Sequence, residues 1–396
     1  MSATWMTRTP SMMQAPMTDA QVLRDSVAQA RRWVVKIGSA LATNQGVGLN
    51  LPAIEGWAEQ MVELQNAGRQ IVVVTSGAVA EGAARLGWKQ RPSALPQLQA
   101  AAAIGQMGLV RAWDQAYEKF GKRAAQVLLT HDDLSDRQRY LNSRSTLWTL
   151  LDLGVFPVIN ENDTVATEEI SLGDNDTLAG LVSNLIEADV LVILTDQQGI
   201  MTADPRTDPT ARLIVHAAAN SAELEAVAGG GGAWGRGGMR TKLRAARLAA
   251  RSATTTIIAS GHAPDVLRNI AAGQAVGTLL YSNNEKISAR KQWLGGTIRA
   301  RGNLRLDRGA CRALLEQGKS LLAVGVIAVS GEFSRGELVV LEDEGGVEVG
   351  RGLANYSAGE CRQIAGLNSE QIEAALGFCR EAELIHRDNL LIDSRA

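Results

Sequence analysis

Six short runs of β-branched and other apolar residues, at 33–37, 71–74, 126–129, 155–159, 190–194 and 255–258, constrain the fold of this chain most. Each run is continuous, with no polar alternation. Continuous apolar strands are buried on both faces, as in a mainly parallel sheet with helices on either side. Apolar residues recur at helical spacing over 54–67, and similar stretches lie at 177–188 and 241–252. Strand–helix alternation from residue 31 to 285 therefore predicts an α/β, three-layer helix–sheet–helix sandwich with a mainly parallel central sheet. The 396 residues leave room for a second unit. Past about residue 291 the character changes. Residues 302–318 read as a turn and one helix, and short strands follow at 321–329, 337–342, 347–349 and 390–392, punctuated by glycines. That is a small β-rich module. The expected division is a flexible N-terminal extension at 1–29, with a helix expected over 19–31, then an α/β domain at 30–285. A linker at 286–298 and the β-rich module at 299–396 follow.

Composition removes several classes of function. A formal charge of −2 gives no reason to expect nucleic acid or an anionic membrane as the main partner. No apolar run approaches the roughly 20 residues of a membrane helix, so no membrane partner is expected. Cys311, Cys361 and Cys379 are widely spaced and form no CxxC pair, which fits a reducing cytoplasm and disfavours a disulfide framework or thiolate zinc site. The first thirty residues lack the apolar centre of a secretory signal. Gly318-Lys319-Ser320 looks like the end of a P-loop, but the required upstream glycine is Ala313. Gly230, Gly232 and Gly235 spell G-x-G-x-x-G, but after a helical stretch rather than a strand, which argues against a dinucleotide site. The four histidines show no metal-ligand spacing. Asp132, Asp133, Arg137, Arg139 and Arg144 read as a solvated face.

What remains is a set of polar signals at strand ends. Lys36 sits inside the run Val34-Val35-Lys36-Ile37, where a charge needs an anionic partner, and Gly38 and Ser39 follow. Thr75-Ser76-Gly77-Ala78 joins a strand to a helix, whose free amides favour an anion. Asn160-Glu161-Asn162-Asp163 and Gly173-Asp174-Asn175-Asp176 crowd carboxylates and amides after another strand. Thr195-Asp196 ends a fifth run, and Gly235-Arg236-Gly237-Gly238-Met239-Arg240-Thr241-Lys242 opens a helix with cationic and amide donors. Ligands of open α/β sheets lie beyond the carboxyl ends of the strands, and all five signals fall at that edge. Together they describe one site.

In their order these motifs resemble the amino-acid-kinase family, and within it the members that phosphorylate glutamate. The similarity runs from about residue 31 to the C-terminus. Residues 309–318, 331–336 and Arg351-Gly352-Leu353-Ala354-Asn355-Tyr356 resemble a PUA domain. The resemblance implies transfer of the γ-phosphate of ATP to the γ-carboxylate of L-glutamate, the first step of proline synthesis. It also implies Mg²⁺, feedback inhibition by proline and a homo-oligomer. It assigns Lys36 and Lys242 to the transferred phosphoryl group, and Asp174 and Asp176 to orienting the lysines or Mg²⁺. Gly38, Thr195, Asp196 and residues Arg236, Gly237, Gly238, Met239, Arg240 and Thr241 would join them in holding ATP. Ser76, Gly77, Asn160, Asp163 and Asn175 would hold glutamate. Ala40 stands where a hydroxyl residue is usual and Arg236 where Thr is common.

A carboxylate nucleophile is already ionised at neutral pH and needs no general base, which suits a site rich in Lys, Gly and Asp. Two rivals stand beside this reading. One is a kinase for aspartate or N-acetylglutamate, the latter disfavoured because its nitrogen offers Asp163 no charge. The other is RNA contact through the PUA-like module, whose residues 297–396 hold fifteen acidic against twelve basic side chains, a weak basic footprint.

Overall fold

A computed structural model describes residues 19–44, 46–90, 92–165, 175–203, 208–229, 238–282 and 300–392. The first half runs α1 (Asp19–Ala28), β1 (Arg32–Ile37), α2 (Ser39–Ala42), β2 (Thr43–Asn44), β3 (Val47–Leu49), α3 (Leu51–Asn66), β4 (Gln70–Val74), α4 (Ala78–Arg85), α5 (Leu95–Glu118) and β5 (Ala124–Leu129). Then come α6 (His131–Ser135), α7 (Arg137–Asp152), β6 (Phe156–Glu161), α8 (Asn175–Leu185), β7 (Val190–Thr195), β8 (His216–Ala218), α9 (Ala222–Gly229), α10 (Gly238–Ala250), β9 (Thr255–Ser260), α11 (Val266–Ala271) and β10 (Thr278–Tyr281).

Eight of these strands form one sheet in the order β5-β6-β4-β1-β7-β9-β10-β8. The six from β5 to β9 are parallel, while β10 runs antiparallel to β9 and parallel to β8. Side chains alternate across the sheet as the period of two demands. Trp33, Val35 and Ile37 of β1 pack with Trp57 and Met61 of α3 and Trp113 of α5 on one face. Val34 packs with Leu178 of α8 and Leu243 of α10 on the other. The expected helix–sheet–helix sandwich is therefore what forms, with two reversed strands at its edge that the sequence reading did not include. By parity Lys36 belongs to the α8–α10 face, and that places the site.

The chain from residue 300 makes a separate five-stranded sheet, β12-β11-β13-β14-β15. Its elements are β11 (Gly302–Leu306), α12 (Arg308–Gln317), β12 (Val326–Gly331), β13 (Leu338–Glu342), β14 (Glu348–Leu353), α13 (Ala358–Ile364), α14 (Ile372–Leu376) and β15 (Leu390–Ile392). Here the expected elements need correction. Residues 302–306 are a strand where a turn was expected, pairing with both β12 and β13. The strand expected at 321–329 begins only at Val326, because Ala323–Gly325 is a short 3₁₀ turn. The proposed linker at 286–298 lies outside the described residues.

Two further expectations change. The helix expected over 19–31 forms, and it is not a frayed tail. Arg24 is 3% exposed. It donates to the carbonyls of Val215, Gln274, Val276 and Gly277, tying α1 to the β10 edge. Residues 1–18 of that extension lie outside the described residues. Arg144, expected to be solvated, is instead held between the two units. It donates to Glu187 at 2.7 Å and to Asn389 at 2.8 Å, and Ser145 donates to Glu381 at 2.9 Å. Arg335 reaches Asn142 from the β-rich side. No helix among the described residues is long and apolar enough to cross a membrane.

The crossing of α4 and α5 is set by glycine. A Cβ on Gly82 would lie 1.8 Å from the Ala101 carbonyl oxygen, and one on Gly105 would lie 1.9 Å from that of Ala78. The two backbones touch, so neither position admits a side chain. Helix propensity alone would make Gly105→Ala stabilising by about 1 kcal/mol. The contact reverses that sign. Urea denaturation should show Gly105→Ala less stable by about 1–3 kcal/mol or more, and a more stable variant would show that the helices do not meet here.

Candidate active site

The strand order reverses at β1. From β1 the sheet grows through β4 on one side and later through β7 on the other. A crevice opens beyond the carboxyl ends of strands at such a point. Lys36, next to last in β1, projects there with its side chain on the α8 face. Its Nζ lies 2.6 Å from Asp176 Oδ1 in the first turn of α8. From α10, Lys242 Nζ lies 3.2 Å from Asp176 Oδ2, and Thr241 Oγ1 donates to that oxygen at 2.6 Å. Lys242 also donates to the Gly238 carbonyl at 3.1 Å. Close packing of α8 on α10 makes this convergence possible, since a Cβ on Gly180 would lie 2.7 Å from the Ala245 carbonyl oxygen.

Lys36 and Asp176 are 5% and 4% exposed. Burial opposes ionisation of Asp176. The charges of Lys36 and Lys242, with hydrogen bonds from Lys36 and Thr241, outweigh it and hold the carboxyl well below the usual carboxylate range. Two ammonium groups are thus drawn together on one carboxylate, where the positive ends of α8 and α10 also meet.

Beside this cluster lies a cavity of about 730 Å³, lined among others by Ser76, Gly77, Asn160, Asp163 and Asn175. All five residues that the resemblance assigned to glutamate therefore come together. Gly77 has φ +120°, and a Cβ there would press on Leu49 and Thr43 side chains at 3.2 and 3.4 Å. Only glycine suits this turn. Asn175 Nδ2 donates to Ser76 Oγ at 2.8 Å and to Asn160 Oδ1 at 3.2 Å, and Asn160 Nδ2 donates to Gln106 Oε1 at 2.9 Å. Because Asn175 and Asp176 are consecutive in α8, one helix start serves both the cavity and the lysine cluster.

The residues assigned to ATP are placed more unevenly. Gly38 donates its N–H to the Leu194 carbonyl at 3.2 Å and closes β1 against β7. Thr195, buried at the end of β7, donates from Oγ1 to Asp196 Oδ1 at 3.0 Å, and Asp196 is exposed. Gly238 opens α10 and Arg240 is exposed, whereas the Met239 side chain is buried in the core on the α8 face. Asp174, Arg236 and Gly237 lie outside the described residues.

Sequence reasoning missed Gln106, and it gave Glu161 no role of its own. Glu161 also lines the cavity, and its Oε1 lies 3.5 Å from His131 Nδ1. Gln106 could have been found. Leu98, Ala101, Ala102, Leu109, Ala112 and Trp113 recur at helical spacing, and Gln106 is a polar residue on that buried face.

Asp176→Asn would remove the carboxylate that Lys36 and Lys242 share. At pH 7 the variant should unfold more easily by about 3–5 kcal/mol, the cost of breaking a buried ion pair from one side. The sign with pH follows from the depressed carboxyl. Its contribution is complete above the unfolded value of about 3.9 and is lost as pH falls through the lower folded value. Denaturation at successive pH values should show the gap between the two proteins closing only in strong acid. A gap that closed between pH 5 and 7 would contradict the geometry.

The family model described as "Amino acid kinase family" matches residues 31–260, and that of the PUA domain matches residues 302–376. Curated relatives include the glutamate 5-kinases of Pseudomonas putida and Pseudomonas aeruginosa, both 60% identical over 93% of this chain and 100% of their own length. The glutamate 5-kinase of Stutzerimonas stutzeri is 59% identical over the same shares. With residues 31–260 matched and identity this high over whole relatives, the chain belongs to the amino acid kinase family, with a PUA domain at its C-terminal end.

Proposed function

We propose that this chain transfers the γ-phosphoryl group of ATP to the γ-carboxylate of L-glutamate, forming L-glutamyl 5-phosphate, the first step of proline synthesis. One observation carries the reading. The five residues expected to hold glutamate line one cavity, and one of them, Asn175, is next in α8 to the Asp176 that gathers the two lysines. The full-length relatives named glutamate 5-kinase support the same substrate. In this reading Asp163 and the Asn175 oxygen take the substrate ammonium, Ser76 donates to its carboxylate, and Asn160 orients the set. Lys36 and Lys242 meet the transferring phosphoryl group. Asp176 is their positioning residue, since it holds both ammonium groups at one place before the phosphate arrives. Thr195, Asp196 and the start of α10 accept the nucleotide.

The chemistry asks for charge and alignment. A carboxylate must approach a polyanion, and preorganised cations and amides lower that barrier. Among the described residues no three acidic, His or Cys side chains converge as a metal cage, and Asp176 is already taken by two lysines and Thr241. In this reading Mg²⁺ arrives with the phosphates of its substrate, MgATP. The same reading takes proline as feedback inhibitor, a homo-oligomer as the working form and the cytoplasm as its place. Three unpaired cysteines suit that compartment.

If both lysines act on the phosphoryl group, Lys36→Ala or Lys242→Ala should lower kcat by about 10²–10³-fold, as lost electrostatic stabilisation does elsewhere, with a smaller effect on the KM for glutamate. A folded variant with near-normal kcat would remove that lysine from the chemistry.

The reaction itself is tested by trapping. A carboxylate acceptor gives an acyl phosphate, which hydroxylamine converts to a γ-hydroxamate, whereas a hydroxyl acceptor gives a stable ester. With MgATP and L-glutamate, hydroxamate should form in step with ADP. Aspartate, one methylene shorter, should be poorer by about 10–200-fold. Glutamate-dependent ADP release without hydroxamate would defeat the acyl-phosphate reaction, and a preference for aspartate would overturn the substrate.

A further inference from the structure

We propose that Gln106 is a positioning residue for the amino-acid substrate, acting through Asn160 and Asn175. This inference rests on glutamate being the substrate. Gln106 lies on α5, 8% exposed, one residue after the glycine whose backbone touches α4. That contact fixes its height above the sheet, so its side chain reaches the end of β6. There its Oε1 accepts from Asn160 Nδ2 at 2.9 Å.

The consequence is directional. An amide side chain has an accepting end and a donating end, and turning it over exchanges them. With its nitrogen committed to Gln106, Asn160 offers its oxygen to Asn175, which donates to it at 3.2 Å. Asn175 gives its other N–H to Ser76 Oγ at 2.8 Å. Both hydrogens of Asn175 are then spent. Its Oδ1 is buried and has no donor among the described residues, in a side chain that lines the cavity. The cavity thus presents an acceptor at Asn175, in the same lining as Asp163, and a hydroxyl at Ser76 that is free to donate onward. Such a set matches a zwitterion, with an ammonium at the acceptors and a carboxylate at the hydroxyl.

Without an acceptor at 106, Asn160 can turn over. Its NH₂ group would then face that of Asn175, and Asn175 would have to turn as well. An N–H would replace the acceptor where the substrate ammonium belongs. The damage should fall on amino-acid binding and leave the nucleotide and the lysines alone.

The test uses the full chain and steady-state kinetics with hydroxamate detection. Gln106→Met keeps the volume and removes the acceptor. It should raise the KM for glutamate about tenfold, the scale of one buried hydrogen bond left unmade, with the KM for ATP unchanged and kcat within about threefold. Gln106→Glu keeps an accepting oxygen and should restore the KM for glutamate to within about threefold of the unaltered chain, as a retained acceptor requires. A purely structural role would lower thermal stability in Gln106→Met without separating the two KM values. Should that variant not fold, Gln106→Asn, whose carbonyl is drawn back by one methylene, carries the same expectation. A KM for glutamate unchanged by loss of the acceptor, or raised equally in Gln106→Glu, overturns the inference while glutamate turnover stands. Absence of glutamate turnover in the unaltered chain overturns the substrate and this inference with it.

Discussion

Two ammonium groups are drawn onto one buried carboxylate, and the architecture around them follows from the need to hold them there. Lys36 comes from the central strand, Asp176 from the start of one helix and Lys242 from the start of another. None of the three could be buried alone without a large desolvation cost. Their meeting requires α8 and α10 to run side by side on one face of the sheet, and Gly180 allows that approach. It also requires the strand order to reverse at β1, so that a crevice opens above the lysine.

The other face of the sheet does different work. There α3, α5 and α11 bury Trp57, Trp113 and Leu267 against the strands and give the sheet a stiff backing. From that layer Gln106 reaches the end of β6, where it meets Asn160. Charge is handled from one side and amide recognition is braced from the other. Asn175 and Asp176, adjacent in sequence, join the two tasks.

Much of this was legible in the residue order, for identifiable reasons. Central strands are apolar on both faces, so β1, β4, β6, β7 and β9 stand out as continuous runs. Polar residues at strand ends and at the start of α8 stand out by contrast, which makes Lys36, Ser76, Asn160 and Asn175 legible as candidates. The edge strands β8 and β10 are short, and β8 is not buried, so no apolar run marks it. Helix α5 is rich in small residues, and it hid Gln106 among alanines and glycines. Arg144 looked like one charge among many in a basic stretch. Its role depends on Glu187 and Asn389, far away in sequence, and no local pattern carries that information.

The crossing of α4 and α5 has a consequence for how a cavity of this design can change over time. Ala78, Val79, Ala80, Ala83 and Ala84 of α4 line the cavity with short side chains, and backbone against backbone at Gly82 and Gly105 leaves the helix that carries them no room to shift. It behaves as a fixed jamb. Room for a longer or shorter guest comes more easily from the rim, where the β2–β3 hairpin and the segment around Trp88 and Lys89 border the same space. There Val47 and Lys89 are exposed. Divergence in guest size within this architecture is therefore favoured at that exposed rim by geometry, before any selection for chemistry acts.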